Sequence, residues 1–86
     1  MDPRQVLGRN VARIRAGQGL SQTALAGKLG PKNLGVTQGY ISELESGSKN
    51  PTLLTMVALA EALGVSLLDL LDGSIQSRYG SHLPND

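Results

Sequence analysis

From Gly19 to Gly47 the chain reads GLSQTALAGKLGPKNLGVTQGYISELESG, and the fold turns on how this stretch is parsed. Two apolar sets recur at helical spacing, Leu25, Ala26 and Leu29 in the first half and Ile41 with Leu44 in the second. Each stands behind a short hydroxyl side chain, Ser21 or Thr37, of the kind that accepts from the orphan amides of a helix start. Gly30-Pro31 closes the first set and Gly47 the second. The stretch therefore predicts two short helices joined through a glycine-containing turn, the second mostly polar outside Ile41 and Leu44. Ala26 is small where the helices would cross, and Gly47 falls where a left-handed residue would let the chain turn away.

Working outward, Leu7, Val11 and Ile14 form a stripe at spacings of four and three, which predicts a first helix from about Pro3 to Gln18. Proline is acceptable in its first turn, and Gly17 and Gly19 close it. After Gly47, Asn50-Pro51-Thr52 opens a fourth helix on which Leu53, Met56, Val57, Ala60 and Leu63 are expected to form one buried stripe up to Gly64. Ser66 followed three residues later by Asp69 has capping-box spacing and introduces a short fifth helix carrying Leu67, Leu70 and Leu71. No sustained period-two alternation occurs between residues 4 and 71, so the fold class is all-α with five helices. Beyond Asp72-Gly73 the composition turns to Gly, Ser, Asn and Pro. The division expected is a domain over 1–72 and a tail over 73–86.

Composition narrows the chemistry. Eighty-six residues at 9.0 kDa fit one domain with no room for separate catalytic and binding modules. Fifteen leucines stand against two tyrosines and no Phe or Trp, so the core must be aliphatic, and the absence of cysteine removes thiolate, iron-sulfur and cysteine-zinc sites. The single histidine, His82, followed by Leu83 and Pro84, reads as a solvated tail residue, a poor metal ligand or base. No paired carboxylates, no Ser/His/Asp set and no phosphate-binding glycine loop occur; Gly17-Gln18-Gly19 follows a helix, not a strand. The reading is a non-enzyme without cofactor or metal. No apolar run suits a membrane helix and the start lacks a signal-peptide layout, so the expected location is the cytoplasm.

Charge is distributed unevenly. Residues 1–50 carry seven Lys/Arg against three acids, a surplus of four, whereas residues 51–86 carry Arg78 against Glu61, Asp69, Asp72 and Asp86, a deficit of three. That polarity suits one face on a polyanion and another toward solvent or a partner, although small proteins often split their charge by chance.

The order and spacing of several short motifs carry a resemblance. Gly19-Leu20-Ser21-Gln22, Leu25-Ala26, Lys28-Leu29-Gly30, Val36-Thr37, Tyr40-Ile41-Ser42, Leu44-Glu45, Gly47, Asn50-Pro51-Thr52 and Leu59 through Ser66 together resemble the phage repressor and Cro-type (XRE) helix-turn-helix DNA-binding family over about residues 7 to 71. The resemblance implies a compact lambda-repressor-like domain whose second motif helix enters the major groove. It further implies that Arg15 pairs with Glu45, a structural ion pair fixing the angle of that helix, and that Gln38, Gly39, Ser42 and Glu43 face the bases with Thr37 near the phosphates.

Chemistry ranks those positions. An amide at Gln38 can donate to adenine N7 and accept from its N6 amino group; a carboxylate at Glu43 can accept from cytosine N4, yet it also repels phosphates. Gly39 replaces the large polar residue often found there in relatives; it either admits the backbone or Tyr40 closer to the groove or is drift at an unimportant site. Tyr40 can pack on the second helix or reach a phosphate. Backbone contacts are expected from Gln22 at a helix start and from Ser48, Lys49 and Asn50 in the next loop, while Arg9 and Arg13 read as solvated arginines that could add charge.

The clearest departure from the family is Pro31-Lys32-Asn33-Leu34-Gly35, about five residues more than most relatives hold in this turn. Lengthening a loop is cheap, so the fold is not threatened. Lys32 could touch the DNA backbone and Leu34 could tuck against the domain, or the loop could bulge into solvent; the usual relation of Gln22 to Gln38 is left in question. A homodimer on a near-palindromic operator is expected, since one module covers little DNA. Leu67, Leu71, Ile75, Tyr79 and Leu83 recur every fourth residue as a possible contact stripe, interrupted by Gly73, Gly80 and Pro84. The leading reading is thus a transcriptional regulator, a repressor or controller, on double-stranded DNA; the rival is an antitoxin or other interaction module with a toxin or other protein partner, and no membrane partner is expected.

Overall fold

A computed structural model of the chain describes residues 2–30 and 35–73. Five helices follow in order, α1 (Pro3–Gly17), α2 (Gln22–Leu29), α3 (Gln38–Glu45), α4 (Leu53–Leu63) and α5 (Leu67–Leu71), and no strand occurs among the described residues. Every start is held by a side-chain cap. Asp2 accepts from the Arg4 amide at 2.8 Å, Ser21 from Ala24 at 2.9 Å, Thr37 from Tyr40 at 3.2 Å and Thr52 from Thr55 at 3.1 Å. At α5 the Ser66 hydroxyl accepts from the Asp69 amide at 3.2 Å while the Asp69 carboxylate accepts from the Ser66 amide at 3.1 Å, closing the capping box. Each cap supplies about 1 kcal/mol, which matters for helices of five and eight residues that would not form alone.

α1 packs on α3, α4 and α5, α2 on α3 and α4, and α4 on α5. The core they enclose is aliphatic: Leu7, Val11, Leu25, Leu29, Ile41, Leu44, Leu59, Ala60, Leu63 and Leu70. Two expected stripes need correction. On α4 the buried set is Leu59, Ala60 and Leu63 with Met56 and Val57 half-buried; Leu53 in the first turn is 60% exposed, because the buried side of the helix centres on Leu59, Ala60 and Leu63 and Leu53 falls toward its edge. On α5 only Leu70 is fully buried, since a five-residue helix packed from one side offers one full core position; Leu67 is half-buried and Leu71 is exposed.

Two polar side chains fasten the helices end to side. Asn10, on the apolar stripe of α1 and almost wholly buried, donates from Nδ2 to the carbonyls of Leu70 at 2.8 Å and Asp72 at 3.1 Å, so it satisfies backbone acceptors that α5 leaves open. Gln18, just after α1, donates from Nε2 to the Leu63 carbonyl at 2.7 Å and closes α4 in the same way. Gly64, at φ +70°, turns the chain out of α4. The expectations for Lys32 and Leu34 in the turn, and for Ile75, Tyr79, His82 and Leu83 in the tail, lie outside the described residues.

Candidate nucleic-acid interface

The presentation of α3 follows from its two apolar side chains. Ile41 and Leu44 are buried, so Gln38, Ser42, Glu43 and the backbone at Gly39 are left on the outer face, all exposed, with the capping Thr37 exposed beside them. These positions are one, four and five residues apart and share one side of the helix. Tyr40 is half-buried against the core.

What sets the helix in place lies at its other end. Gly8 of α1 is buried under α3, and a Cβ built there would strike the carbonyl oxygens of Leu44 and Glu45, the latter at 2.8 Å. Only glycine allows this approach. Close by, the Arg15 guanidinium meets the Glu45 carboxylate in a two-pronged pair, Nε to Oε2 at 2.6 Å and Nη2 to Oε1 at 3.0 Å, while Nη1 donates to the Leu20 carbonyl at 2.8 Å. The side chains are 17% and 9% exposed, so little solvent screens the pair, and its hydrogen bonds raise the Arg15 pKa above the ordinary arginine value despite the opposing cost of desolvation. One guanidinium thus joins α1, the entry to α2 and the end of α3.

The same carboxylate reaches α2. Gln22 Nε2 donates to Glu45 Oε1 at 3.0 Å, and Gln22 Oε1 in turn accepts from Gln38 Nε2 at 2.7 Å. The structure therefore brings Arg15, Glu45, Gln22 and Gln38 into one hydrogen-bonded series. The long turn has not separated Gln22 from Gln38.

The loop after α3 forms a second cluster. Gly47, at φ +86°, turns the chain, Ser46 donates to the Glu43 carbonyl at 2.8 Å, and the hydroxyls of Ser46 and Ser48 lie 3.0 Å apart. Lys49 Nζ lies 3.1 Å from Glu43 Oε1 and 5.3 Å from the centre of the Tyr40 ring. Glu43 is thus paired with a cation, which offsets the phosphate repulsion a bare carboxylate would cause. Ser48 and Asn50 are both exposed in this loop.

Some assignments change. Arg13 is not the solvated arginine expected: it is half-buried, with Nε shielded from water and lacking a hydrogen-bond partner, in a groove shared with Gln5, Arg9 and Ser46. Arg9 itself is exposed. Gly8 and Asn10 were not singled out by the sequence pattern, though both left a trace there, a glycine and an amide set inside the stripe of Leu7 and Val11. Among the described residues no group of His, Asp or Glu could hold a metal ion, and no helix is long and apolar enough to cross a membrane.

Chemically, the outer face of α3 offers one amide hydrogen-bonded to Gln22, a hydroxyl, an ion-paired carboxylate and a bare backbone, flanked by hydroxyls, an ammonium and helix-start amides. Such a surface can place side chains against base edges while its flanks meet phosphates. Comparison with known proteins agrees with that form. The helix-turn-helix family profile HTH_3 matches residues 11–70. An uncharacterized HTH-type transcriptional regulator, y4dJ, of Sinorhizobium fredii is 38% identical over 81 residues, covering 94% of this chain and 99% of that protein. The control protein C.SmaI of Serratia marcescens is 37% identical over 71 residues, 83% of this chain and 79% of that one. Among solved structures, the clp gene regulator ClgR of Corynebacterium glutamicum superposes with a TM-score of 0.76 at 31% identity, over 90% of this chain and 77% of that one. The restriction-modification controller protein C.AhdI of Aeromonas hydrophila does so with a TM-score of 0.69 at 28% identity, over 78% and 94%.

Proposed function

The chain belongs to the HTH_3 helix-turn-helix family and is a DNA-binding transcriptional regulator, and from that premise we propose that it acts as a homodimeric repressor or controller on a near-palindromic operator. Each protomer lays α3 in the major groove. Gln38 reads adenine, Ser42 and Glu43 meet neighbouring bases, and Gly39 lets the backbone approach. Gln22, Thr37, Ser48, Lys49, Asn50 and Lys32 contact the sugar-phosphate backbone and set the register without specifying sequence. The observation that carries the reading is the Gln38 amide: it is exposed at the start of α3, yet tied through Gln22 to a half-buried ion pair, so it meets the groove already oriented.

Dimer formation is supported by Leu53, Leu54, Leu68 and Leu71, large apolar side chains exposed on α4 and α5. The controller role is supported by the likeness to the control protein C.SmaI and the restriction-modification controller protein C.AhdI. Selection of bound duplexes from a random pool at about 150 mM salt, where nonspecific attraction is partly screened, tests the whole. An enriched inverted repeat with half-sites about one helical turn apart is expected. Failure of folded protein to enrich any sequence would send the assignment back to a protein-interaction module.

A further inference from the structure

We propose that Glu45, which lies too far back along α3 to be among the base-facing residues, is the positioning residue that decides which base Gln38 accepts. The inference rests on Gln38 reading a base, as proposed above.

A carboxylate can only accept hydrogen bonds, whereas a glutamine amide has one accepting and one donating end. Glu45 Oε1 therefore forces Gln22 to turn its nitrogen inward, where the two atoms lie 3.0 Å apart. That leaves Gln22 Oε1 facing Gln38, so Gln38 must turn its own nitrogen toward Gln22, and it does, at 2.7 Å. Gln38 then keeps one free N–H and one free carbonyl oxygen. A donor beside an acceptor matches the N7 and N6 positions of adenine and mismatches guanine, whose N7 and O6 both accept. The second N–H of Gln22 remains available for a phosphate. Arg15 fixes the source of this polarity by holding both oxygens of Glu45 at 2.6 and 3.0 Å. The base preference is thus written in a side chain that touches no base, through two amides whose directions follow from it.

Reversing the first link reverses the rest. In Glu45→Gln the new amide oxygen can still accept from Arg15, while its nitrogen faces Gln22. Gln22 turns over to present its oxygen, its nitrogen meets the oxygen of Gln38, and Gln38 is left with two N–H bonds for the groove. That set fits guanine.

The test uses the duplex selected from a random pool, with each A·T pair replaced in turn by G·C, and fluorescence anisotropy on the wild-type protein and three variants. Gln38→Ala locates the position it reads, as the one where discrimination disappears. At that position Glu45→Gln should exchange an adenine preference of at least about fivefold for a guanine preference. Because Glu45→Gln also weakens the pair with Arg15 and can cost folding, Gln22→Ala, which leaves that pair whole, is measured beside it; it should reduce the adenine-to-guanine ratio severalfold, since the Gln38 amide is then free to turn. A wild-type ratio in Gln22→Ala, or in folded Glu45→Gln, overturns the role of Glu45 while leaving Gln38 as a reader. No position losing discrimination in Gln38→Ala overturns both readings.

Discussion

Gln22 and Gln38 are 2.7 Å apart at their amides although eight residues, 30–37, separate their helices. The contact survives because neither residue is placed by the turn. Gln22 stands at the start of α2, capped by Ser21 and held to Glu45, and Gln38 at the start of α3, whose Ile41 and Leu44 lock into the core. An insertion between two independently anchored helices costs only the closure of a longer loop, about 0.6 kcal/mol for each doubling of its length.

Gln38→Ala should accordingly cost about 1 to 3 kcal/mol on the best site while leaving binding to unrelated sequences nearly unchanged. The free protein should keep its stability, because Gln38 is exposed and its removal opens no cavity. Competition binding against specific and scrambled duplexes gives the two affinities; equal losses on both would take base reading away from Gln38.

Gly8→Ala should be among the most damaging small substitutions in the chain. The added methyl meets the backbone carbonyls of Leu44 and Glu45, which cannot swing aside as a side chain can, so α1 and α3 must separate. Overpacking of this kind typically costs about 1 to 3 kcal/mol, and here it would also pull Arg15 from Glu45. Urea denaturation should show the loss, and DNA binding should weaken beyond it as α3 changes angle. A variant of wild-type stability would mean that the two helices can part at no cost.

Much of this architecture is legible in the sequence because its signals are local. Ser21, Thr37, Thr52 and Ser66 announce helix starts by their own chemistry, and Gly30, Gly47 and Gly64 mark where the chain must turn. What pattern reading misses is tertiary. Asn10 looks like a fault in an apolar stripe until α5 is seen to end against it, and Gly8 looks incidental until α3 is laid across it. Leu53 fails as a core residue because the buried side of α4 centres on Leu59, Ala60 and Leu63, and at about 100° per residue Leu53 falls toward the edge of that side. From the sequence, the pairing of Arg15 with Glu45 is legible only through family resemblance, since thirty residues separate the two and nothing local links them. The candidate reading face is visible as the polar side of α3, whereas the direction in which its amide points depends on a network spanning three helices.

Lys49→Ala distinguishes two uses of one ammonium. If Lys49 reaches a phosphate, the variant should bind all sequences more weakly, and the slope of log affinity against log salt should fall by roughly one. If its main partner is instead Glu43, 3.1 Å away, the loss comes from exposing that carboxylate to the DNA and should vanish in a Glu43→Gln background. The phosphate contact predicts a loss of similar size in both backgrounds, and binding isotherms at several salt concentrations measure it.

Gly39→Ala separates folding from recognition at one atom. Gly39 is exposed within α3, and a Cβ there would meet nothing nearer than the Thr37 hydroxyl at 3.8 Å, so the free protein has room for it. Alanine should therefore raise stability by up to about 1 kcal/mol, seen as an increase of about 4 to 8 °C in Tm. On the operator the same methyl would stand between the helix backbone and the base edges, and affinity should fall. Opposite signs in the two measurements would mean that glycine is kept for the groove at the expense of the helix. A stability gain with undiminished affinity would remove Gly39 from the interface and leave Gln38, Ser42 and Glu43 to form it.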